Sequence, residues 1–245
     1  MATPATKTNN TVEIELVPWD YCSAPHVERM VEQRRSAGWM AEAVPSWVVR
    51  AEAGGMDMFW VVLADATPGR EEMLEAHGSR YPKEKEPLND TATTLYSNPR
   101  EPTGRAFVAI GHVSLNPNPS PGKEYYLDHL PKEHWITALY TTWALQSRGI
   151  GRAVMARLEA MMVAPPLNGA VAALDAIKPE IMRSEFALRT YYQRLGVPVP
   201  KMSNQEWYQR QRYEFVGEFP ESEVATMPDG DEIQASLMLM MKRLK

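Results

Sequence analysis

The sequence predicts an α/β fold, a mixed β-sheet flanked by helices. Segments with strand character stand both before and after segments with helical character along the chain. One strand–helix–strand unit spans 135–177, and its helix places apolar residues at i, i+4, i+7 and i+8, namely Val154, Leu158, Met161 and Met162. Strands joined by a crossover helix run parallel, so the predicted sheet contains at least one parallel pair.

The first half of the chain begins with a strand at 12–17, where Glu13 and Glu15 alternate with apolar residues. A helix is predicted over 26–43, and a β-branched, aromatic strand over 56–63. The next segment, 66–104, is a polar insertion with five prolines, a short helix at 71–76 and the solvated mixed-charge run Lys83–Glu86. An insertion of this length is usually functional or mobile.

The remaining elements alternate between the two periodicities, and Pro165-Pro166 ends the strongest helix of the chain. One domain is expected over 1–245, with a polar tail at 1–11 and the insertion at 66–104. The predicted elements are strands at 105–115, 135–143, 170–177, 213–219 and 233–244, a helix at 146–163, and helical patterns between 178 and 213.

Composition excludes several classes of protein. The net charge of −5 lacks the basic surface of a nucleic-acid binder. The single cysteine, Cys22, forms no intrachain disulfide, and no cysteine spacing indicates a metal site. No apolar run approaches the roughly 20 residues of a membrane helix, and 1–11 does not resemble a targeting segment. We therefore expect a cytoplasmic protein without membrane partners.

The segment Gln146–Gly151 (QSRGIG) lies where a predicted strand leads into a helix. The first amides of a helix are unpaired and carry a partial positive charge, and small residues there let a pyrophosphate approach. Val154 replaces the third glycine of the dinucleotide fingerprint, and no Gly-Lys-Ser/Thr of a P-loop is present. The spacing alone is equally compatible with an ordinary strand–helix turn.

This segment resembles the acetyl-CoA loop, Gln/Arg-x-x-Gly-x-Gly/Ala, of the GCN5-related N-acetyltransferases, the GNAT family. The resemblance extends to Ile110–Leu115, Ile136–Tyr140 and Ala170–Ile177 as the third, fourth and fifth strands of that family. It is specific over about 105–177. It implies a splayed GNAT-like sheet that holds CoA between the fourth and fifth strands.

The resemblance also implies which residues contact the cofactor, acetyl-CoA, and it implies no metal. The amides of Arg148, Gly149, Ile150, Gly151 and Arg152 would bind the pyrophosphate, with the two arginines adding charge. The remaining cofactor-binding residues would be Gln146 and, through backbone pairing with pantetheine, Trp143, Ala144 and Leu145.

The family also implies a tyrosine that protonates the leaving thiolate. Two stretches compete for it, Tyr191–Val197 and Asn204–Tyr213. The second resembles fungal members of the family and makes Tyr208 the acid, although Arg212 stands where glycine is usual. Tyr192 is the alternative from the first stretch, and both tyrosines are also compatible with a role as core aromatics.

A general base is harder to identify, because attack on a thioester requires a neutral amine. Glu133 and His134 open the fourth strand, where the family often has such a group, and His112 lies on the third. For each of them a structural role is an open alternative.

The resemblance implies an acyl-CoA-dependent N-acetyltransferase that moves an acetyl group to a primary amine in a ternary complex. The acceptor is a small-molecule amine or a protein amine, and the pattern specifies neither it nor the oligomeric state. A catalytically inactive acyl-CoA-binding sensor or interaction module is one alternative. An α/β protein that binds another phosphate ligand through the same turn is a second.

Overall fold

A seven-stranded sheet forms the centre of the structure. The computed structural model describes residues 12–117, 133–226 and 232–244, and the backbone alone at 133, 220–226 and 232–235. The strand order is β1-β2-β3-β4-β5-β7-β6. The strands are β1 (Ile14–Pro18), β2 (Asp57–Leu63), β3 (Gly111–Asn116), β4 (Glu133–Thr141), β5 (Val171–Ile177), β6 (Glu214–Thr226) and β7 (Glu232–Arg243).

β4 and β5 are parallel, whereas the other neighbouring strands of this sheet are antiparallel. The predicted mixed sheet is therefore confirmed. The parallel pair is short, because it extends only from Glu133 opposite Val171 to Ile136 opposite Leu174. Beyond this point β4 continues to Thr141 and β5 to Ile177 without pairing to each other. The sheet opens between them, as the family resemblance implies.

A bulge lies in β4 within this open part. The register with β3 passes from His112 opposite Tyr140 to Ser114 opposite Thr137, so β4 has one extra residue there. Ala138 adopts φ 52°, in the left-handed region. A bulge adds local twist and bends the strand, and this one lies where the pairing of β4 with β5 has ended.

The predicted helix at 26–43 is wrong in extent. Helix α1 (Ala24–Ala37) ends at Gly38, whose φ of 103° is available to glycine at low cost and whose N–H bonds the carbonyls of Arg34 and Arg35. A second helix, α2 (Val44–Glu52), follows after a short loop. It was not predicted, since its nine residues show too few turns for a clear periodicity.

The insertion at 66–104 packs on the sheet and is more ordered than its composition predicts. Helix α3 (Arg70–Arg80) is longer than expected, and a 3₁₀ turn follows at Pro82–Glu84. The buried guanidinium of Arg29 in α1 donates to the carbonyls of Lys83, Glu84 and Glu86. Further on, the predicted strand at 105–115 divides into Ala106–Phe107, which pairs with Leu88–Asn89, and β3.

Helix α4 (Ile150–Val163) crosses from β4 to β5 and buries Val154, Met155, Leu158 and Met162 against the sheet. Full burial of such side chains contributes roughly 1.5–3 kcal/mol each. After β5 come α5 (Pro179–Met182), α6 (Glu185–Ala187), a π-helical turn (Leu188–Gln193) and α7 (Asn204–Gln209). In the part of the chain that is described, no helix is long and apolar enough to cross a membrane.

Candidate functional site

The connection from β4 to α4 begins with a short 3₁₀ turn at Trp143–Leu145. Thr142 organises it, because its hydroxyl accepts from Ala144 N at 3.4 Å and its carbonyl accepts from Leu145 N at 3.1 Å. The indole of Trp143 donates to the carbonyl of Ser36 at 3.0 Å. The amides of Ala144 and Leu145 are thus already bonded. Pairing of Trp143–Leu145 with pantetheine stays a prediction that depends on their carbonyls, and the unpaired edge of β4 at 137–141 is the longer surface for such pairing.

The segment from Ser147 to Gly149 has the geometry of an anion-binding turn. Ser147 has φ 65° and Gly149 φ 86°, both left-handed, and α4 begins immediately afterwards at Ile150. Among the hydrogen bonds of the described residues, none uses the backbone N–H groups of 148–152. These donors stand at the positive end of a helix of 14 residues. Arg148 and Arg152 are exposed beside them.

The two glycines of the turn have different roles. A Cβ at Gly149 would meet no atom within 4 Å, so that position requires glycine for its φ and is open to a ligand. A Cβ at Gly151 would lie 3.1 Å from Cζ2 of Trp207 in α7. Gly151 therefore leaves room for an indole, whereas the sequence suggested that it makes room for a pyrophosphate.

Tyr208 lies next to this contact. It is buried in the cluster that α4 forms on the sheet, and its ring centroid is 4.9 Å from that of Trp207 and 5.8 Å from that of Tyr213. Burial, together with the nearby carboxylate of Asp175 on β5, raises the pKa of the Tyr208 hydroxyl well above its ordinary value. Tyr208 therefore stays a proton donor near the strand that diverges from β4.

Tyr191 and Tyr192 border the other side of the turn. The hydroxyl of Tyr191 donates to the carbonyl of Ala37 at 2.6 Å, and its ring contacts Trp143 and Trp39. Tyr192 is buried beside it, and burial raises its pKa. Tyr191 thus fixes the end of α1 against the turn. Both Tyr208 and Tyr192 flank the site, so the choice between them stays a prediction.

His134 has a packing role in the structure, and its role as general base stays a prediction. His134 pairs with Ala172 in the closed part of the β4–β5 pair, and its ring packs on Gly169, where a Cβ would lie 2.5 Å from Cδ2. Gly169 follows the C-terminal end of α4 and precedes β5, beside the closed part of the β4–β5 pair. Glu133 pairs through its backbone with Val171, and its side chain lies outside the described structure.

His112 is a structural residue and is unsuited to act as a base. It is fully buried, with Nδ1 2.8 Å from Oε1 of Gln33 and Nε2 3.3 Å from Nη1 of Arg34. The amide nitrogen of Gln33 donates to Ala109 O, so Oε1 accepts from Nδ1–H and Nε2 accepts from Arg34. Burial and Arg34 lower the pKa of His112. Its lone pair is already occupied.

A buried polar cluster next to the turn was missed by the sequence analysis. It joins Glu84 and His77 of the insertion to Tyr140 and Thr142 at the end of β4. Glu84 was assigned to a solvated run, but it is 2% exposed, because Arg29 draws the backbone of 83–86 onto α1. No local pattern distinguishes this glutamate from its exposed neighbours. Within the described ranges, no three histidine, cysteine, aspartate or glutamate residues form a metal-binding group.

No family model matches the chain, and no curated protein matches it in sequence. Solved structures do match it in fold. One is an aminoglycoside 6'-N-acetyltransferase complexed with coenzyme A, with TM-score 0.50, 11% identity, and 94% of this chain and 97% of that chain covered. A putative acetyltransferase of the GNAT family from Desulfovibrio desulfuricans has TM-score 0.50 and 8% identity, with 95% and 99% covered.

A third similar structure is Arabidopsis thaliana NAA60 in complex with a bisubstrate analogue, with TM-score 0.50, 14% identity, and 95% and 99% of the two chains covered. The chain has the fold of the GNAT acetyltransferases. At these identities the likeness establishes the GNAT fold and leaves the reaction to be argued from the site. The likeness to fungal members stays a prediction.

Proposed function

We propose that this protein is an N-acetyltransferase, which transfers the acetyl group of acetyl-CoA to a primary amine by direct attack in a ternary complex. One observation carries the proposal. In a GNAT fold, the unbonded amides of 148–152 follow a strand, β4, whose C-terminal half has separated from β5, with only a short turn between them. A diphosphate fits the turn, and an extended chain fits the unpaired edge of β4.

The binding of acetyl-CoA follows from these two features. The N–H groups of 148–152 bind the pyrophosphate, assisted by the field of α4 and by the side chains of Arg148 and Arg152. The backbone of 137–141 in β4 pairs with the pantetheine amides, because its side toward β5 is without a strand partner in the described structure. Gln146 precedes the turn and is exposed at its entrance.

The transfer itself needs two proton movements. The nitrogen of the neutral amine attacks the thioester carbon, a C–N bond forms, and the C–S bond breaks as the intermediate collapses. The attacking nitrogen loses a proton and the departing thiolate gains one. Tyr208 supplies the thiolate proton, and its raised pKa keeps its hydroxyl protonated until the thiolate develops.

The acceptor is a small-molecule amine or a protein amine, and we propose that the reaction takes place in the cytoplasm. The similar structures include one enzyme named for aminoglycosides. The loop between α1 and α2 lies beside the site, since Trp39 contacts Tyr191. We infer that this loop contributes to acceptor choice.

A ligand-stability screen followed by turnover tests the proposal. We expect acetyl-CoA, and neither ATP nor NAD, to raise the Tm. A panel of small amines and peptides with free N-termini or lysines is then assayed for CoA release. Stabilisation without turnover on any amine would favour the inactive acyl-CoA-binding module. Stabilisation by ATP or NAD instead would favour another phosphate ligand.

A further inference from the structure

A polar cluster is buried where α1, the insertion and the end of β4 meet. It contains Ser36 of α1, His77 and Glu84 of the insertion, and Tyr140 and Thr142. His77, Glu84 and Thr142 are at most 2% exposed and Tyr140 is 6% exposed. Neither the anion-binding turn nor the proposed thiolate acid uses these groups.

Some of the hydrogen-bonding capacity of this cluster is unused. Oε1 of Glu84 accepts from the Ser36 hydroxyl at 3.0 Å, and Nδ1 of His77 is 3.0 Å from Oγ1 of Thr142. Oε2 of Glu84 and Nε2 of His77 lie 3.7 Å apart, which is too long for a direct hydrogen bond. Within the described structure, neither of these atoms nor the Tyr140 hydroxyl has a hydrogen-bond partner.

Three unpaired buried polar atoms in one cluster indicate a binding site for a small polar molecule such as water. Leaving each one unpaired costs on the order of 1–3 kcal/mol, whereas a water molecule typically satisfies two to four such groups. The Glu84 carboxylate and the His77 imidazole face each other across the gap. A water between them bridges a carboxylate to a neutral imidazole, an arrangement that accepts protons.

The cluster adjoins the reaction site through Tyr140. Tyr140 lies in the part of β4 that has separated from β5, three residues before the 3₁₀ turn at Trp143–Leu145. Burial raises the pKa of its hydroxyl, and the neighbouring Tyr81, Glu84 and Tyr191 raise it further. Tyr140 therefore connects the open edge of β4 to the cluster that contains Glu84.

The groups around Glu84 suit it to exchange a proton near neutral pH. Burial raises the pKa of Glu84 to about 7, and Glu32 adds to the increase, while Ser36, Gln33 and Arg29 oppose it. On the facing helix, burial lowers the pKa of His77 to about 4, so the imidazole is neutral.

We propose that Glu84 accepts the proton of the acceptor ammonium through a water held between Glu84, His77 and the Tyr140 hydroxyl. This inference rests on the proposed acetyltransferase function. The ammonium N–H bond breaks, its proton passes along the water to the Glu84 carboxylate, and the electron pair stays on nitrogen for the attack. The carboxylic acid then returns the proton to solvent, which balances the overall release of one proton per turnover.

Glu84→Gln, compared with Glu86→Gln, tests the proposal. Glu86 is two residues away and exposed, and among the described residues its backbone carbonyl alone is hydrogen-bonded, to Arg29. For wild type we expect kcat/KM to rise with pH through a midpoint near 7. In Glu84→Gln this rise of kcat/KM with pH should be absent. Its kcat/KM at pH 8 should be about 10²-fold lower than that of wild type, with the Kd of acetyl-CoA unchanged. Glu86→Gln should match wild type, and an unaltered pH profile in Glu84→Gln would overturn the assignment.

A second measurement requires neither turnover nor an active variant. Infrared spectroscopy of the wild-type protein should show a protonated carboxyl band that titrates with a midpoint near 7 and is absent from Glu84→Gln. Absence of that band in wild type at pH 6 overturns the proton-acceptor role. If the band is present but no amine is acetylated, the acetyltransferase function fails, and with it the assignment of Glu84 to that reaction.

Discussion

The indole of Trp207 lies over Gly151, so that a Cβ at position 151 would stand 3.1 Å from Cζ2 of the ring. This contact joins α7 to the first turn of α4. It places the helix that carries Tyr208 beside the amides proposed to bind the pyrophosphate. A change in either residue therefore affects both the packing of α7 and the anion-binding turn.

Gly151→Ala tests this contact. The added methyl group must displace Trp207 by a few tenths of an ångström, and we expect a destabilisation of roughly 1–2 kcal/mol with weaker acetyl-CoA binding. Trp207→Phe removes the part of the ring that meets position 151. Urea unfolding of the two single variants and the double variant measures the coupling. If Gly151→Ala lowers the free energy of unfolding equally in the Trp207→Phe background and in wild type, the contact with Trp207 is not the reason that position 151 is glycine.

Gly149 requires glycine for a different reason, and two variants separate backbone strain from charge. Gly149→Ala adds only the cost of a left-handed φ, about 1–2 kcal/mol of stability, because no atom lies within 4 Å of the new Cβ. Gly149→Glu adds a negative charge at the helix N-terminus. Calorimetry should detect acetyl-CoA binding to the alanine variant and none to the glutamate variant. Equal affinities of the two variants for acetyl-CoA would show that the pyrophosphate does not bind at this turn.

The acid is tested by Tyr208→Phe, with Tyr192→Phe as the matched control. Loss of one hydroxyl should lower kcat by about 10²-fold, while the Kd of acetyl-CoA stays nearly unchanged. We expect Tyr192→Phe to keep most of the activity. The reverse pattern would assign the acid to the π-helical turn, and two active variants would show that the thiolate leaves without either tyrosine.

The burial of Glu84 also predicts a dependence of stability on pH that needs no substrate. Its pKa is about 7 in the folded protein and 4.5 as the ordinary value, so the folded state holds the extra proton between these values. As pH rises from 4.5 to 7, the raised pKa of Glu84 therefore lowers the free energy of unfolding by up to roughly 3 kcal/mol. Glu84→Gln should have a higher Tm than wild type at pH 8, and this advantage should disappear near pH 4.5.

The measurement is a thermal melt at several pH values, with Glu86→Gln as the exposed control. A constant Tm difference across this pH range would mean that Glu84 ionises normally in the folded protein. Such a result would also weaken the proposal that Glu84 accepts a proton, because that proposal and the stability prediction both depend on the raised pKa of Glu84.

Much of the fold follows from local patterns in the sequence. The strand–helix–strand unit was predictable because the apolar period of α4 is clear and a crossover helix makes its two strands parallel. The turn at 146–151 was predictable because its glycines mark the start of that helix. The end of α1 at Gly38 was missed, although a glycine is a common helix terminus.

Local sequence patterns predicted the α/β class, the parallel pair and the glycine turn before α4, since each depends on residues close together in the chain. The side chains that meet at the site depend on the packing of the whole fold. Trp207 reaches Gly151, and Glu84 reaches His77 and the end of β4, because the sheet and the packed insertion bring distant segments together. Periodicity encodes which face of an element is buried, and it carries no information on which distant residue will be its neighbour.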